Sequence, residues 1–468
     1  MIKILGKSLL SVIVASNLFA TEKPNVVIIF TDDQGYGDLA CFGGKHLLTP
    51  NIDQMAKEGA RLTSFYVAAP VCTPSRAALM TGCYPQRVDM APASSREVKL
   101  PHISSGTRFP VCLAGDGRGL NPDEFTIAEA AQSAGYKTGM FGKWHLGDQP
   151  EFLPTRQGFE EFFGIPYSHD ITPKHKNNKV FKFPPLPVLE GEEVIEMSPD
   201  PRYLTRRITE RAVAFIKEHK DENFFMYVAH PLPHGPVVAS PEIKRQYAEE
   251  LKKPENKKKS PKVYPAAIYE IDWSVGEILN SLKEQGIDEN TIVLFTSDNG
   301  PAAGSAKPLS GKKTKTLEGG MRVPAVIRWP KGIQAGRDND TLMTAMDVLP
   351  TFAKLMGADL PDDRVIDGKD MMPVLEDGAE SQYEYFFYNY WGTTEAVRWK
   401  SWKLRKVDGK VTLYNLDKDI SEKKNLAAQH PEIVQQLQEA IQKFDAKMAK
   451  EVRPAGKVEN PKVLTLKK

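Results

Sequence analysis

The sequence predicts an α/β protein: a large, mostly parallel sheet sandwiched by helices, then a smaller C-terminal α+β subdomain on an antiparallel sheet. Three observations carry this. Asn25-Val26-Val27-Ile28-Ile29-Phe30 and Thr291-Ile292-Val293-Leu294-Phe295-Thr296 are continuous apolar runs of strand length, suited to strands buried on both faces. Strand-like and helix-like segments alternate through most of the chain, the pattern of parallel strands joined by crossover helices. Near residue 376 the composition shifts to short aromatic strands such as Tyr385-Phe386-Phe387-Tyr388.

The elements follow in order. The strand at 25–30 runs into Thr31-Asp32-Asp33. A helix opens at Thr49-Pro50 and continues to about Gly59, with Thr49 as N-cap and Pro50 in the first turn. Residues 126–134 read as helix and 137–141 as strand. A helix over 204–218 leads into a strand at 224–228. The long helix 264–284 feeds the strand at 291–296, which ends at Ser297-Asp298-Asn299, and 324–329 is a further strand. Beyond 376, strands at 385–388, 396–400 and 411–414 precede a helix over 431–447. The Pro-, Gly- and Ser-rich segment 88–124 and the Pro- and Lys-rich segment 174–196 read as long loops, which in compact domains are often functional.

The first 20 residues read as an export signal. Lys3 and Lys7 form a basic start, and Ser8 to Ala20 is apolar but too short to span a bilayer. The expected organisation is therefore a signal peptide at 1–20, an α/β domain at 21–375 and an α+β subdomain at 376–468. The expected location is periplasmic or secreted, with no membrane attachment after cleavage. Of 468 residues, 41% are apolar and the formal net charge is +2, so nothing global argues for nucleic acid. The lysine run at 252–262 reads as a solvated loop with some capacity to attract a polyanion. Four cysteines are present: Cys41, Cys72, Cys83 and Cys112. Their spacing fits no zinc template. With Cys72 set aside for chemistry, the other three leave room for one disulfide and one buried thiol.

Asp32-Asp33 and Asp298-Asn299 each follow a buried-type strand, and sites in such sheets form at the carboxyl ends of strands. Three carboxylates and an amide in one place require a cation, and an all-oxygen set favours Ca²⁺ or Mg²⁺. Gly142-Lys143-Trp144-His145-Leu146-Gly147 follows a strand, whose alternation points Lys143 and His145 the same way. His230-Pro231-Leu232-Pro233-His234 follows another. Gly311-Lys312-Lys313-Thr314-Lys315-Thr316-Leu317-Glu318-Gly319-Gly320-Met321-Arg322 combines basic residues with glycines that allow close backbone approach. Together these supply cations for a tetrahedral anion and imidazoles for proton transfer.

One run is the most distinctive: Cys72-Thr73-Pro74-Ser75-Arg76, leading into Ala77-Ala78-Leu79-Met80-Thr81-Gly82. Taken alone it also fits a buried thiol before a Pro-started helix. With Asp32-Asp33-Gln34-Gly35-Tyr36-Gly37-Asp38, Thr49-Pro50-Asn51-Ile52-Asp53, Gly142-Lys143-Trp144-His145, Ser297-Asp298-Asn299-Gly300 and Glu318-Gly319-Gly320-Met321-Arg322, it resembles the type I sulfatases. These are formylglycine-dependent enzymes of the alkaline phosphatase superfamily, and the likeness is to the arylsulfatase A and N-acetylgalactosamine-6-sulfatase group. It extends from about Lys23 to about Gly456.

The resemblance implies an alkaline phosphatase-like fold and the following roles. A maturase converts Cys72 to formylglycine, whose hydrate is the nucleophile. Asp32, Asp33, Asp298 and Asn299 bind Ca²⁺. Arg76 pairs with the hydrate and the metal carboxylates. Lys143 and Lys313 clamp sulfate oxygens, Lys313 being chosen over Lys312 and Lys315 by its distance from Glu318. His145 bonds the hydrate and serves as the base that releases sulfate, and His234 faces the leaving oxygen. Gly164-Ile165-Pro166-Tyr167-Ser168-His169-Asp170 resembles the loop bordering the substrate pocket, and His169 and Asp170 suit recognition of sugar hydroxyls. The expected substrate is a sulfated carbohydrate of galactose or N-acetylgalactosamine type, attacked at its terminal sugar. A phosphate or phosphonate monoester hydrolase, and a non-catalytic glycan-binding relative, are the competing readings.

Overall fold

The computed structural model describes residues 23–91 and 109–466, so the signal expected at 1–20 and part of the 88–124 loop lie outside the described residues. A ten-stranded sheet forms its centre: β1 (Asn25–Thr31), β2 (Ala60–Leu62), β3 (Lys137–Lys143), β4 (Glu161–Ile165), β5 (Pro187–Glu190), β6 (Glu193–Met197), β7 (Phe224–Ala229), β8 (Thr291–Ser297), β9 (Val326–Arg328) and β10 (Arg337–Asn339). Their order across the sheet is β10-β2-β9-β8-β1-β7-β3-β4-β5-β6. The five central strands, β8 to β4 in that order, are mutually parallel. On the flanks, β9 runs antiparallel to β8, and β5 and β6 antiparallel to their neighbours. The sheet is thus mixed, parallel where it is most buried. Every residue of β1, β7 and β8 is buried, which is why these strands read as unbroken apolar runs.

Helices cover both faces: α1 (Pro50–Glu58), α2 (Cys72–Thr81), α3 (Ile127–Ser133), α4 (Leu204–Glu218), α5 (Val263–Glu284) and α6 (Val348–Met356). One buried cluster joins Ile28, Leu79, Ile127 and Phe352 on one face; another joins Val27, Ile52, Ile208 and Ile271 on the other. The α1 N-terminus differs from its expected cap. Thr49 Oγ accepts from Ala40 N and donates to Asp53 instead. The acceptor for the free amides is Asp272 of α5, which takes Asn51 N at 3.2 Å and Ile52 N at 2.8 Å. A distant carboxylate satisfies the helix end, so only tertiary contact could reveal it.

A separate antiparallel sheet of β11 (Phe386–Tyr390), β12 (Thr393–Trp399), β13 (Trp402–Val407) and β14 (Lys410–Asn415) packs against α7 (Pro431–Glu451). A buried polar network ties it to the large sheet. Lys403 on β13 lies 2.9 Å from both Glu318 and Glu422, and Tyr388 donates to Glu318 at 2.8 Å. Burial opposes ionisation of Glu318, yet Lys403, Arg322 and Arg398 hold its pKa down to about 2.

Two expectations need correction. Segment 174–196 is not one long loop: it contains the helical turn Asn178–Phe181 and the hairpin β5–β6, whose exposed outer strand lacks the apolar signal of a buried one. No disulfide forms, since Cys41, Cys72, Cys83 and Cys112 are all free thiols. The 252–262 run is largely exposed, as expected, with Lys252 and Lys253 pairing with Glu249 and Glu250 at the surface and Lys259 donating to the carbonyls of Lys45 and Leu47. Among the described residues, no helix is long and apolar enough to cross a membrane.

Candidate active site

Parallel pairing builds the floor of the site. Thr31 at the end of β1 lies opposite Ser297 at the end of β8, so Asp32-Asp33 and Asp298-Asn299 leave the sheet side by side. Asp33 takes a left-handed φ of 66° and its amide donates to Asp298 Oδ1 at 3.0 Å. Asn299 Nδ2 donates to Asp33 Oδ1 at 2.7 Å. Gly300 must be glycine here, because a Cβ would sit 1.9 Å from the Gly319 carbonyl oxygen. That close approach brings the Glu318–Met321 turn, and the lysine loop before it, up to the strand ends.

Helix α2 begins at Cys72, so its N-terminus, which favours negative charge, opens onto the same spot. Cys72 Sγ lies 3.4 Å from Asp32 Oδ1, and Lys313 Nζ approaches it at 3.3 Å. Burial, reinforced by Asp298 and Asp32, pushes the thiol well above its ordinary pKa. As a free thiol it is a poor nucleophile. One turn on, Arg76 reaches Asp298 Oδ2 at 2.9 Å, Asp32 Oδ1 at 4.0 Å and the Lys143 carbonyl at 3.1 Å. Lys143 Nζ sits 2.5 Å from Asp32, and Lys313 Nζ 2.6 Å from Asp33. Of the three lysines in that loop, Lys313 enters the site while Lys312 and Lys315 are exposed. Burial resists ionisation of Asp32, but Lys143, His234, Arg76 and Lys313 hold its carboxyl well below the usual range.

Pleat alternation does not orient His145. The strand ends at Lys143, and His145 has a φ of 64°. Its Nε2 faces the Cys112 carbonyl at 2.9 Å. A carbonyl only accepts, so Nε2 carries the proton and the buried, unpartnered Nδ1 keeps a lone pair. Burial, with Lys143 and Arg76, holds the ring well below its ordinary pKa. His234 Nδ1 donates to the Gly235 carbonyl at 2.7 Å, which turns Nε2 toward Asp33 Oδ2 at 3.6 Å. His169 packs on His234 with ring centroids 5.7 Å apart, and burial followed by His234 draws its pKa down to about 4. Asp170 faces His175 Nε2 at 3.5 Å; burial disfavours its charge, but His234 and Ser168 hold its pKa below the ordinary value.

All twelve expected residues therefore fall in one connected region. Sequence reasoning passed over Tyr227, whose hydroxyl lies 3.3 Å from Arg76, and Thr73, which accepts from Cys112 N and donates to the His145 carbonyl. The available signal for Tyr227 was its hydroxyl in an otherwise apolar strand. Gln34 and Ser75, next to motif residues, are buried with unpartnered side-chain atoms.

The carboxylate and amide oxygens of the expected set suit a hard cation. Asp32 and Asp33 group with Cys72 and His234, their ligand atoms all within 4.8 Å of one another, whereas Asp298 is outside that group and meets Arg76 at 2.9 Å. Asp33 Oδ2 and Asn299 Oδ1 are buried without hydrogen-bond partners, as two oxygens awaiting a ligand are. A sulfatase family model matches residues 24–358. The chain belongs to the sulfatase family. A model of the C-terminal part of N-sulphoglucosamine sulphohydrolase matches residues 312–447. Human steryl-sulfatase is 33% identical over 459 residues, covering 81% of this chain and 74% of that protein. Mouse N-acetylgalactosamine-6-sulfatase is 38% identical over 407 residues, covering 82% and 72%. A crystal structure of Ps i-CgsB in complex with k-i-k-neocarrahexaose superposes with a TM-score of 0.76 at 30% identity, covering 91% of this chain and 93% of that one. This sulfatase is accordingly a sulfuric ester hydrolase.

Proposed function

We propose that this sulfatase is exported to a periplasmic or extracellular space, where it removes sulfate from a terminal galactose- or N-acetylgalactosamine-type sugar of a sulfated glycan. The observation that carries the chemistry is the meeting of Cys72 at a helix N-terminus with Lys313 and Asp32, each within 3.4 Å of its sulfur. Formylglycine made from Cys72 by a maturase supplies an aldehyde hydrate as nucleophile, and Ca²⁺ held by Asp32, Asp33, Asp298 and Asn299 supplies charge stabilisation for the sulfate oxygens.

The remaining work falls to side chains of this chain. Lys143 and Lys313 donate to sulfate oxygens, exchanging their present carboxylate partners for the anion. Arg76 holds Asp298 in place and fixes the α2 N-terminus through the Lys143 carbonyl. His145 is kept neutral with its lone pair on Nδ1, the state a base requires. With Nδ1–H committed to the Gly235 carbonyl, His234 hands a proton to the leaving oxygen from Nε2 when the ring is doubly protonated, and returns to neutral with its lone pair on Nε2. His169 and Asp170, beside His234, are suited to reading the hydroxyls of the leaving sugar.

Mass spectrometry of the peptide containing residue 72, paired with turnover of sulfate and phosphate esters, tests the chemistry. Activity that tracks the aldehyde fraction and favours sulfate supports it; full turnover by the unmodified thiol refutes it, and a preference for phosphate or phosphonate esters supports the rival reading. For the sugar, monosulfated galactose, N-acetylgalactosamine, glucosamine and fucose are compared. His169→Ala and Asp170→Ala are expected to weaken sugar-sulfate turnover more than aryl-sulfate turnover.

A further inference from the structure

Segment 174–182, Lys174-His175-Lys176-Asn177-Asn178-Lys179-Val180-Phe181-Lys182, carries four lysines and no acid. All four lysines are exposed, and none forms an ion pair among the described residues. In a chain with a net charge of +2, this is a concentrated local field. The backbone beneath it is fixed. Phe181 and Phe183 are buried and stacked with centroids 5.1 Å apart, and His175 packs edge-on to Phe183 at 5.2 Å. Asn178 Oδ1 accepts from Phe183 N at 2.6 Å.

The segment is also tied to the site. His175 Nδ1 accepts from Asn177 N, which leaves Nε2 as the N–H facing Asp170 Oδ2 at 3.5 Å. Asp170 in turn adjoins His169, whose ring packs 5.7 Å from that of His234, the residue assigned above to the leaving oxygen. Through His175 and Asp170 the lysine segment is thus joined to the residues assigned to the leaving sugar. In the other lysine-rich stretch, 252–262, Lys252, Lys253 and Lys259 already have partners, while Lys257, Lys258 and Lys262 are exposed like the track lysines, and none of these contacts ties that stretch to the pocket.

We propose that segment 174–182 forms an anion-binding track beside the pocket, and that the preferred substrate carries a second sulfate ester on the sugar adjoining the one being desulfated. This rests on the sulfatase reading above. Four unpartnered ammonium groups on a fixed backbone hold a neighbouring sulfate without touching the reacting one, so the effect falls on KM.

The test compares two galactose-type disaccharides, one sulfated only on its terminal sugar and one on both sugars, with a small aryl sulfate as reference. The variant Lys174→Gln/Lys176→Gln/Lys179→Gln/Lys182→Gln is set against a charge-matched control, Lys252→Gln/Lys253→Gln/Lys257→Gln/Lys258→Gln. The track variant is expected to raise KM for the doubly sulfated disaccharide about tenfold at low salt, the difference vanishing near ~0.5 M salt. Its turnover of aryl sulfate and of the singly sulfated disaccharide is expected to match wild type, which also reports intact folding. Equal wild-type KM for the two disaccharides overturns the track alone, as does an equal KM rise in the control. Aryl-sulfate hydrolysis without disaccharide hydrolysis overturns the sugar assignment and the track with it. Failure of matured wild type on every sulfate ester overturns the underlying sulfatase reading.

Discussion

Replacing Asp298 with asparagine separates the structural role of that carboxylate from its role toward a metal. The substitution keeps an oxygen that can accept from Asp33 N but removes the charge that Arg76 meets at 2.9 Å. Breaking a buried ion pair costs about 3–5 kcal/mol. Opposing this, one Arg76 nitrogen lies 2.9 Å from Asp298 and 4.0 Å from Asp32, so those two carboxylate oxygens are within about 7 Å, a repulsion of at least roughly 2 kcal/mol at an effective dielectric near 20. Burial and this repulsion raise the Asp298 pKa, as expected for a charge held against its neighbours. The two terms partly cancel, leaving a net loss of about 1–3 kcal/mol without metal. With Ca²⁺ the variants diverge. Wild type gains RT ln(1 + [L]/Kd), about 2.7 kcal/mol at a hundredfold excess over Kd, and the variant gains little. Thermal melts of both proteins in chelator and in Ca²⁺, alongside sulfate-ester turnover, provide the readout. Turnover is expected to fall about hundredfold or more. A variant that kept both the Ca²⁺-dependent rise in Tm and native turnover would refute the reasoning.

Cys72→Ala is expected to abolish turnover while changing stability by only about 1 kcal/mol, since one buried sulfur is lost; circular dichroism and sulfate release are the measurements, and residual turnover above background contradicts the nucleophile assignment. Lys403→Met strands Glu318 and Glu422, both within 2.9 Å of its ammonium, and is expected to cost about 3–5 kcal/mol in chemical denaturation; a loss below about 1 kcal/mol shows the network to be dispensable. Asp116→Asn tests a buried carboxyl that burial pushes from an ordinary 3.8 up to about 6, against the pull of Arg118. A raised folded pKa gives stability that is complete below pH 3.8 and lost as pH climbs through about 6. Wild type should therefore lose up to roughly 3 kcal/mol relative to the variant over that window, and a pH-independent difference in denaturation midpoints would contradict this.

Much of the α/β core was legible because burial on both faces forces a local signature. Strands β1, β7 and β8 have no polar face to interrupt them, and helix α4 begins and ends where its periodicity does. Edge elements were not legible. The hairpin β5–β6 is half exposed, and its lysine- and proline-rich approach resembles a loop. The short β2 and β10 exist because of their partners, not their own three residues.

For the site, sequence alone determined the residue types and their order. Two acidic strand ends, a cysteine before a helix and a lysine loop beside paired glycines point to the tetrahedral anion, hard cation and proton transfer of the proposed chemistry. Only the tertiary structure decided which groups meet. It brought 32–33 against 298–299 through parallel pairing of β1 with β8, selected Lys313 to reach Cys72, and set the His145 tautomer through a backbone carbonyl 33 residues away. The physical reason is that side-chain identity is a local property, whereas charge pairing, burial and hydrogen-bond partners depend on which distant segments the sheet makes neighbours.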